Sequence, residues 1–141
     1  LVSIVGWGLG ITGLGLALHV LYPLAPPRLT DLGLEDPTKA SLELGGALSW
    51  FQPFRNEFAA MPSMHVGYTF LFALTLFWMH RGSPLRWLAF LWPAAMLFVV
   101  MATANHWWLD AAGGIGCVLL ALAVVNPLSR SLPQPWRAAT A

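Results

Sequence analysis

Four stretches of almost uninterrupted apolar sequence, at about residues 2–22, 63–79, 85–103 and 108–125, leave few folds open to this chain. Each is close to the ~20 residues that a helix needs to cross a bilayer. In lipid every backbone polar group must be bonded internally, so a spanning segment is a helix or part of a closed barrel. The lengths match helices, not barrel strands. The expected architecture is therefore all-α: a transmembrane helical bundle of four spans, forming one domain over residues 1–141. Charge agrees, since only 9% of the residues are charged against about 25% in a soluble domain. Gly6 and Gly10 in the first span have the G-x-x-x-G spacing that lets helices approach closely. Pro93 lies inside the third span, and Asn126-Pro127 is expected to end the fourth.

Residues 23–62 differ in character. They hold Asp31, Glu35, Asp36, Glu43 and Glu57 with Arg28, Lys39 and Arg55, and are rich in Pro and Gly. A loop of that length is often functional, and residues 38–51 are expected to form a short interfacial helix, with Leu42, Leu44, Leu48 and Phe51 along one face. The turn after the second span carries Arg81 and Arg86, and the C-terminal tail carries Arg130 and Arg137, with no acid in either. By the positive-inside rule that side is cytoplasmic, so the long loop and residues 104–107 face the extracytoplasmic side. A net charge of +1 gives no general attraction to nucleic acid. Cys117 is the single cysteine, so no intrachain disulfide can form. The apolar segment starting at Leu1 has no basic region before it and no good cleavage site after it. The sequence is expected to be a fragment or an N-terminally trimmed form.

Three polar clusters fall at span ends, all on the expected extracytoplasmic side, where ionisable groups tend to mark function. In Pro23-Leu24-Ala25-Pro26-Pro27-Arg28 the prolines stiffen the backbone around a guanidinium able to grip phosphate bidentately. The alternative is a stiff loop with a snorkelling arginine. In Met61-Pro62-Ser63-Met64-His65, proline and serine suit a helix start, whose free N–H groups attract anions. His65 sits within proton-transfer reach, or these residues are a capping Ser and an interfacial His. In Asn105-His106-Trp107-Trp108-Leu109-Asp110, His106 and Asp110 are four apart and share a helix face. A carboxylate there would fix the imidazole's tautomer and make its other nitrogen a better nucleophile.

These three blocks, in this order, resemble the type 2 phosphatidic acid phosphatase (PAP2) superfamily. Pro62-Ser63-Met64-His65 looks like its P-S-x-H motif, and His106 with Asp110 like the histidine and aspartate of its third motif. The usual first motif, K-x6-R-P, is altered: Leu21 stands at the lysine and Leu29 follows Arg28. Val99 and Val100 stand where the third motif usually has Ser-Arg. Pro23-Leu24-Ala25-Pro26-Pro27 is similar to the P-x-A-P-P block of the aureobasidin-target branch, which contains inositol phosphorylceramide synthases and whose third motif also lacks the arginine. The resemblance implies a six-span core, of which these four spans would be the catalytic part and two N-terminal spans would be missing.

It further implies a membrane phosphotransferase or phosphatase, acting on a phospholipid or polyprenyl phosphate without a metal or other cofactor. In that scheme His106 is the nucleophile, Asp110 orients it and His65 is the general acid and base. Arg28, Ser63 and Arg55 hold the phosphate, with Arg55 or Lys39 compensating for the lost cations. A plain lipid phosphate or polyprenyl-diphosphate phosphatase differs only in the acceptor. Other readings are a metal site of His65, His106 and Asp110, which lacks a second spaced His or any Cys ligand, and a catalytically degenerate membrane subunit or transporter. His80 is expected to be an interfacial anchor. His19 is expected to be a satisfied interfacial residue or to line the substrate's path. Trp107 and Trp108 are expected in an aromatic belt or against an acyl chain.

Overall fold

The apolar runs form helices because lipid offers their backbone no other partner. The computed structural model describes residues 2–34, 36, 39 and 56–131. Four α-helices are present among them: α1 (Val2–Leu21), α2 (Met64–Met79), α3 (Leu91–Ala102) and α4 (Trp108–Ser131). A 3-10 turn at Pro27–Leu29 follows α1, and another at Pro84–Phe90 leads into α3. No strand is formed among the described residues; Leu24 and Ala59 make one isolated parallel bridge across the long loop.

Three segments are long and apolar enough to cross a membrane: Ile4–Leu21, Pro84–Ala102 and Trp108–Leu128. The second expected span is shorter than that. Ser63 acts as the N-cap, so the helix proper has 16 residues, about 24 Å at 1.5 Å per residue. The third span is helical from Pro84, but its first seven residues are 3-10. Pro93 is the third residue of α3, near the start of the α-helical hydrogen bonding, where a missing N–H is least disruptive. The expected stop at Asn126-Pro127 does not occur. Helix α4 runs through Pro127 to Ser131, because a proline removes one hydrogen bond and the remaining turn can continue around it. The expected interfacial helix at residues 38–51 lies outside the described residues.

Helix α1 packs on α4 through small residues. A Cβ on Gly10 would stand 3.2 Å from Ala121, and one on Gly6 would stand 2.8 Å from Val125. The G-x-x-x-G spacing is thus the contact that seats α1 on α4. Ile11 of α1, Leu71 of α2 and Cys117, Val118 and Leu122 of α4 form one buried cluster. Val66, Val100 and Ala111 form a second, which brings α3 in. Leu9, Val20, Trp92, Phe98 and Leu109 point outward, as lipid-facing residues do.

The helices alternate in direction, so the long loop, the start of α2, the α3–α4 turn and the start of α4 meet at one end. Arg81 and Arg86 lie at the other. There Arg86 stacks 4.5 Å above the Phe77 ring and donates to the Arg81 carbonyl. A cavity of about 270 Å³ beside it is lined by Leu76, His80, Ser83, Leu85, Arg86 and Ala89, away from the three polar clusters.

Candidate active site

The three clusters converge through backbone contacts. Leu24 donates to the Phe58 carbonyl and accepts from the Ala60 N–H, which ties the loop after α1 to the segment before α2. Ser63 N–H donates to the Asp110 carbonyl at 2.7 Å, which ties that segment to α4. The Arg28 N–H donates to the Ala104 carbonyl at 3.0 Å, and Trp107 Nε1–H donates to the Ala25 carbonyl at 3.0 Å. Trp107 therefore holds the proline-rich loop with its ring nitrogen, a role its expected place in an aromatic belt does not require. Trp108 is exposed.

A glycine makes the α2–α4 approach possible. A Cβ on Gly114 would collide with the Ser63 carbonyl oxygen and lie 3.2 Å from the Gly67 nitrogen. These are backbone atoms, so no rotamer change relieves the clash.

His106 is 5% exposed. Its Nδ1 lies 2.7 Å from the Ala60 carbonyl and 3.4 Å from Asp110 Oδ2. Both neighbours are acceptors, so Nδ1 carries the proton and Nε2 is left with its lone pair in the neutral ring. Nε2 faces His65 Nδ1 at 3.3 Å, with the two rings edge to face. His65 is otherwise exposed. Burial pushes the His106 imidazole below its ordinary value of 6.5, and neighbouring His65 adds to this; the Ala60 carbonyl and Asp110 pull in the opposite direction without reversing it.

Asp110 has a second task. It is fully buried, and its Oδ2 accepts the Trp107 N–H at 2.6 Å. That is the reciprocal half of a capping box at the start of α4. The carboxylate is thus fixed by the helix as well as lying beside His106. The nearer partner of His106 is the Ala60 carbonyl, which no side-chain motif signals.

Ser63 is fully buried. It caps α2, accepting the Val66 N–H at Oγ. An acceptor oxygen keeps its own O–H proton free to donate. Arg28 sits in the 3-10 turn Pro27–Leu29 with its side chain 8% exposed. Its Nη1 donates to Asn105 Oδ1 at 2.6 Å, and its Nε lies 3.2 Å from Asp36 Oδ1. Arg55 lies outside the described residues. Lys39 is exposed, and its backbone N–H meets Asp36. His19 reaches the Pro62 carbonyl at 3.0 Å through Nε2, tying α1 to the segment that enters α2. His80 bonds the Leu76 carbonyl at the opposite end. Among the described residues no three His, Cys, Asp or Glu side chains are grouped to hold a metal ion.

His65, His106, Asp110, Ser63 and Arg28 therefore gather at one end of the bundle. Asn105 and the Ala60 carbonyl join them. Asn105 had one sequence signal, a polar residue beside His106 at a span end; the carbonyl had none.

The model of the PAP2 superfamily matches residues 2–124, from the start of α1 into the last turns of α4. No curated protein and no solved structure matches the chain. The chain is an all-helical membrane protein with the phosphoester chemistry of a phosphatase-type family, and it belongs to the PAP2 superfamily.

Proposed function

We propose that this protein cleaves a phospholipid-like phosphoester through a phosphohistidine at His106 and passes the phosphorus group to a hydroxyl acceptor, as an inositolphosphotransferase does. The observation that carries the reading is the orientation of His106. Its Nδ1–H is held by the Ala60 carbonyl, which aims the bare Nε2 at His65.

In the first step Nε2 attacks phosphorus. The N–P bond forms, the bond from phosphorus to the leaving oxygen breaks, and that oxygen takes a proton from His65. In the second step His65 removes a proton from the acceptor hydroxyl, whose oxygen attacks phosphorus and releases His106. Asp110 stabilises the positive ring that forms between the steps. Arg28 and the Ser63 hydroxyl hold the non-bridging oxygens. Attack needs phosphorus about 3–3.5 Å from Nε2, and the leaving oxygen lies beyond phosphorus. The present 3.3 Å contact between the two histidines must therefore open as substrate enters, and exposed His65 is the ring able to move. With Arg81 and Arg86 at the opposite end of the bundle, the site faces the extracytoplasmic side.

The acceptor separates this reading from that of a plain phosphatase. Full-length protein in nanodiscs, given phospholipids labelled with ³²P at the headgroup phosphate, is expected to yield a labelled transfer product when a lipid hydroxyl acceptor is supplied. Brief acid quenching is avoided, because the protein-bound label is expected to be acid-labile and alkali-stable, as a phosphoramidate is. Inorganic phosphate or a free phosphorylated headgroup as sole product would favour a hydrolase. Absence of both turnover and labelled protein with every lipid would refute the proposal.

A pH profile supplies a second check. Because His106 is held below 6.5, its neutral form persists at pH 6.5 and above. The acid limb of kcat/KM that belongs to His106 is therefore expected below pH 6.5. Folding follows the same sign: the unfolded chain binds this proton more readily, so stability is full above 6.5 and declines as pH falls through the lower folded value. A wild-type profile with no acid limb below 6.5, its lowest one being centred above that value, would contradict this.

A further inference from the structure

We propose that Asn105 is a positioning residue for the Arg28 guanidinium, with Thr103 setting which way the Asn105 amide faces. The inference rests on Arg28 being a phosphate ligand, as argued above.

The chain of contacts has one consistent set of proton positions. The Thr103 hydroxyl donates to the Val99 carbonyl at 2.8 Å, a carbonyl that can only accept. Its oxygen then accepts from Asn105 Nδ2 at 2.7 Å. That leaves Asn105 Oδ1 on the other side, 2.6 Å from Arg28 Nη1, and a guanidinium can only donate. An amide turned the other way would set donor against donor at Arg28. The backbone reinforces the arrangement. Asn105 N–H donates to the Val100 carbonyl at 3.0 Å, and the preceding Ala104 accepts the Arg28 N–H. Ala104 has φ of +50°, a left-handed conformation uncommon outside glycine, Asn and Asp. It turns the chain sharply between Thr103, which faces back to α3, and Asn105, which faces Arg28.

Nη1 of the guanidinium is thus held by a hydrogen bond to Asn105, while Nε lies 3.2 Å from Asp36 in an ion pair and makes no hydrogen bond among the described residues. The directional bond at Nη1 limits how the planar group can turn about its own stem, and a defined plane is what bidentate phosphate binding needs. Asn105 also immediately precedes His106. One short turn therefore sets the distance between the cation and the nucleophile. Charge stabilisation by a guanidinium depends on the exact pose of that group.

The test is a double-mutant cycle on the full-length protein in nanodiscs, reading kcat/KM and the affinity for inorganic phosphate. Asn105→Ala is expected to lower both by roughly 10- to 100-fold, the range for a hydrogen bond to a charged group. Added to Arg28→Ala, it is expected to cost nothing further, because Asn105 acts through Arg28. Thr103→Val is expected to lose part of the same activity and Thr103→Ser to regain most of it. A merely structural role would make the Asn105 and Arg28 losses multiply, and that result would overturn the proposal. So would unchanged phosphate affinity in Asn105→Ala while Arg28→Ala abolishes it. If Arg28→Ala itself left phosphate affinity intact, the assignment of Arg28 to the phosphate would fall and this proposal with it.

Discussion

Replacing His106 by asparagine is expected to lower turnover by roughly 10³-fold or more, the loss typical of removing a nucleophile that forms a covalent intermediate. Asparagine separates chemistry from folding. Its side-chain N–H can stand in for Nδ1–H and keep the bond to the Ala60 carbonyl, which now measures 2.7 Å. It has nothing to put where Nε2 faces His65. The thermal midpoint should therefore move little while the ³²P-labelled intermediate disappears. Residual activity above a tenth of wild type would remove His106 from the mechanism. The same variant tests the non-enzymatic alternative, in which the chain has kept the fold without the reaction: there His106→Asn would change nothing that an assay can read.

A single methyl group at Gly114 is expected to do nearly as much harm by another route. Gly114→Ala places a Cβ against the Ser63 carbonyl oxygen and 3.2 Å from the Gly67 nitrogen. Overpacking against backbone forces α2 and α4 apart, at a cost of about 3 kcal/mol, the upper end for such changes. Separation also stretches the bond from Ser63 N–H to the Asp110 carbonyl and carries His65 away from His106. A displacement of about 1 Å in such a pair reduces rate by the order of 10²-fold. Gly113→Ala is the control. Its Cβ would meet Met61 and Pro62 at 3.4 Å, an ordinary contact, and alanine favours the helix by about 1 kcal/mol over glycine. Thermal unfolding and turnover of the two variants in nanodiscs decide the matter. Equal midpoints for the two would show that α2 and α4 are not in backbone contact there.

Sequence patterns alone carried the helical spans and the end of the bundle at which the three polar clusters meet. Both follow from local rules. A run of apolar residues in lipid must satisfy its own hydrogen bonds, and alternating spans place every second connection on the same side. The i, i+4 relation of His106 and Asp110 and the helix-start character of Pro62-Ser63 are equally local. Local rules failed where a residue's fate depended on distant packing. Pro127 reads as a stop, yet α4 continues past it. Asp110 reads as a partner for His106, yet it also caps its own helix.

What remained for the tertiary structure was the identity of the groups that orient the reactive ones. The acceptor nearest the His106 ring is the backbone carbonyl of Ala60, 46 residues away. Every residue except its neighbours in a loop path could have supplied such a carbonyl, so no side-chain pattern marks it. The grip of Asn105 on Arg28 spans 77 residues and depends on how the proline-rich loop lies across the α3–α4 turn. Side-chain types and their spacing along one helix determine which reactive groups a chain owns. Which nitrogen of His106 is bare, and how the plane of Arg28 is held, are decided only when separate segments are packed, because hydrogen bonds to backbone carbonyls carry no residue label.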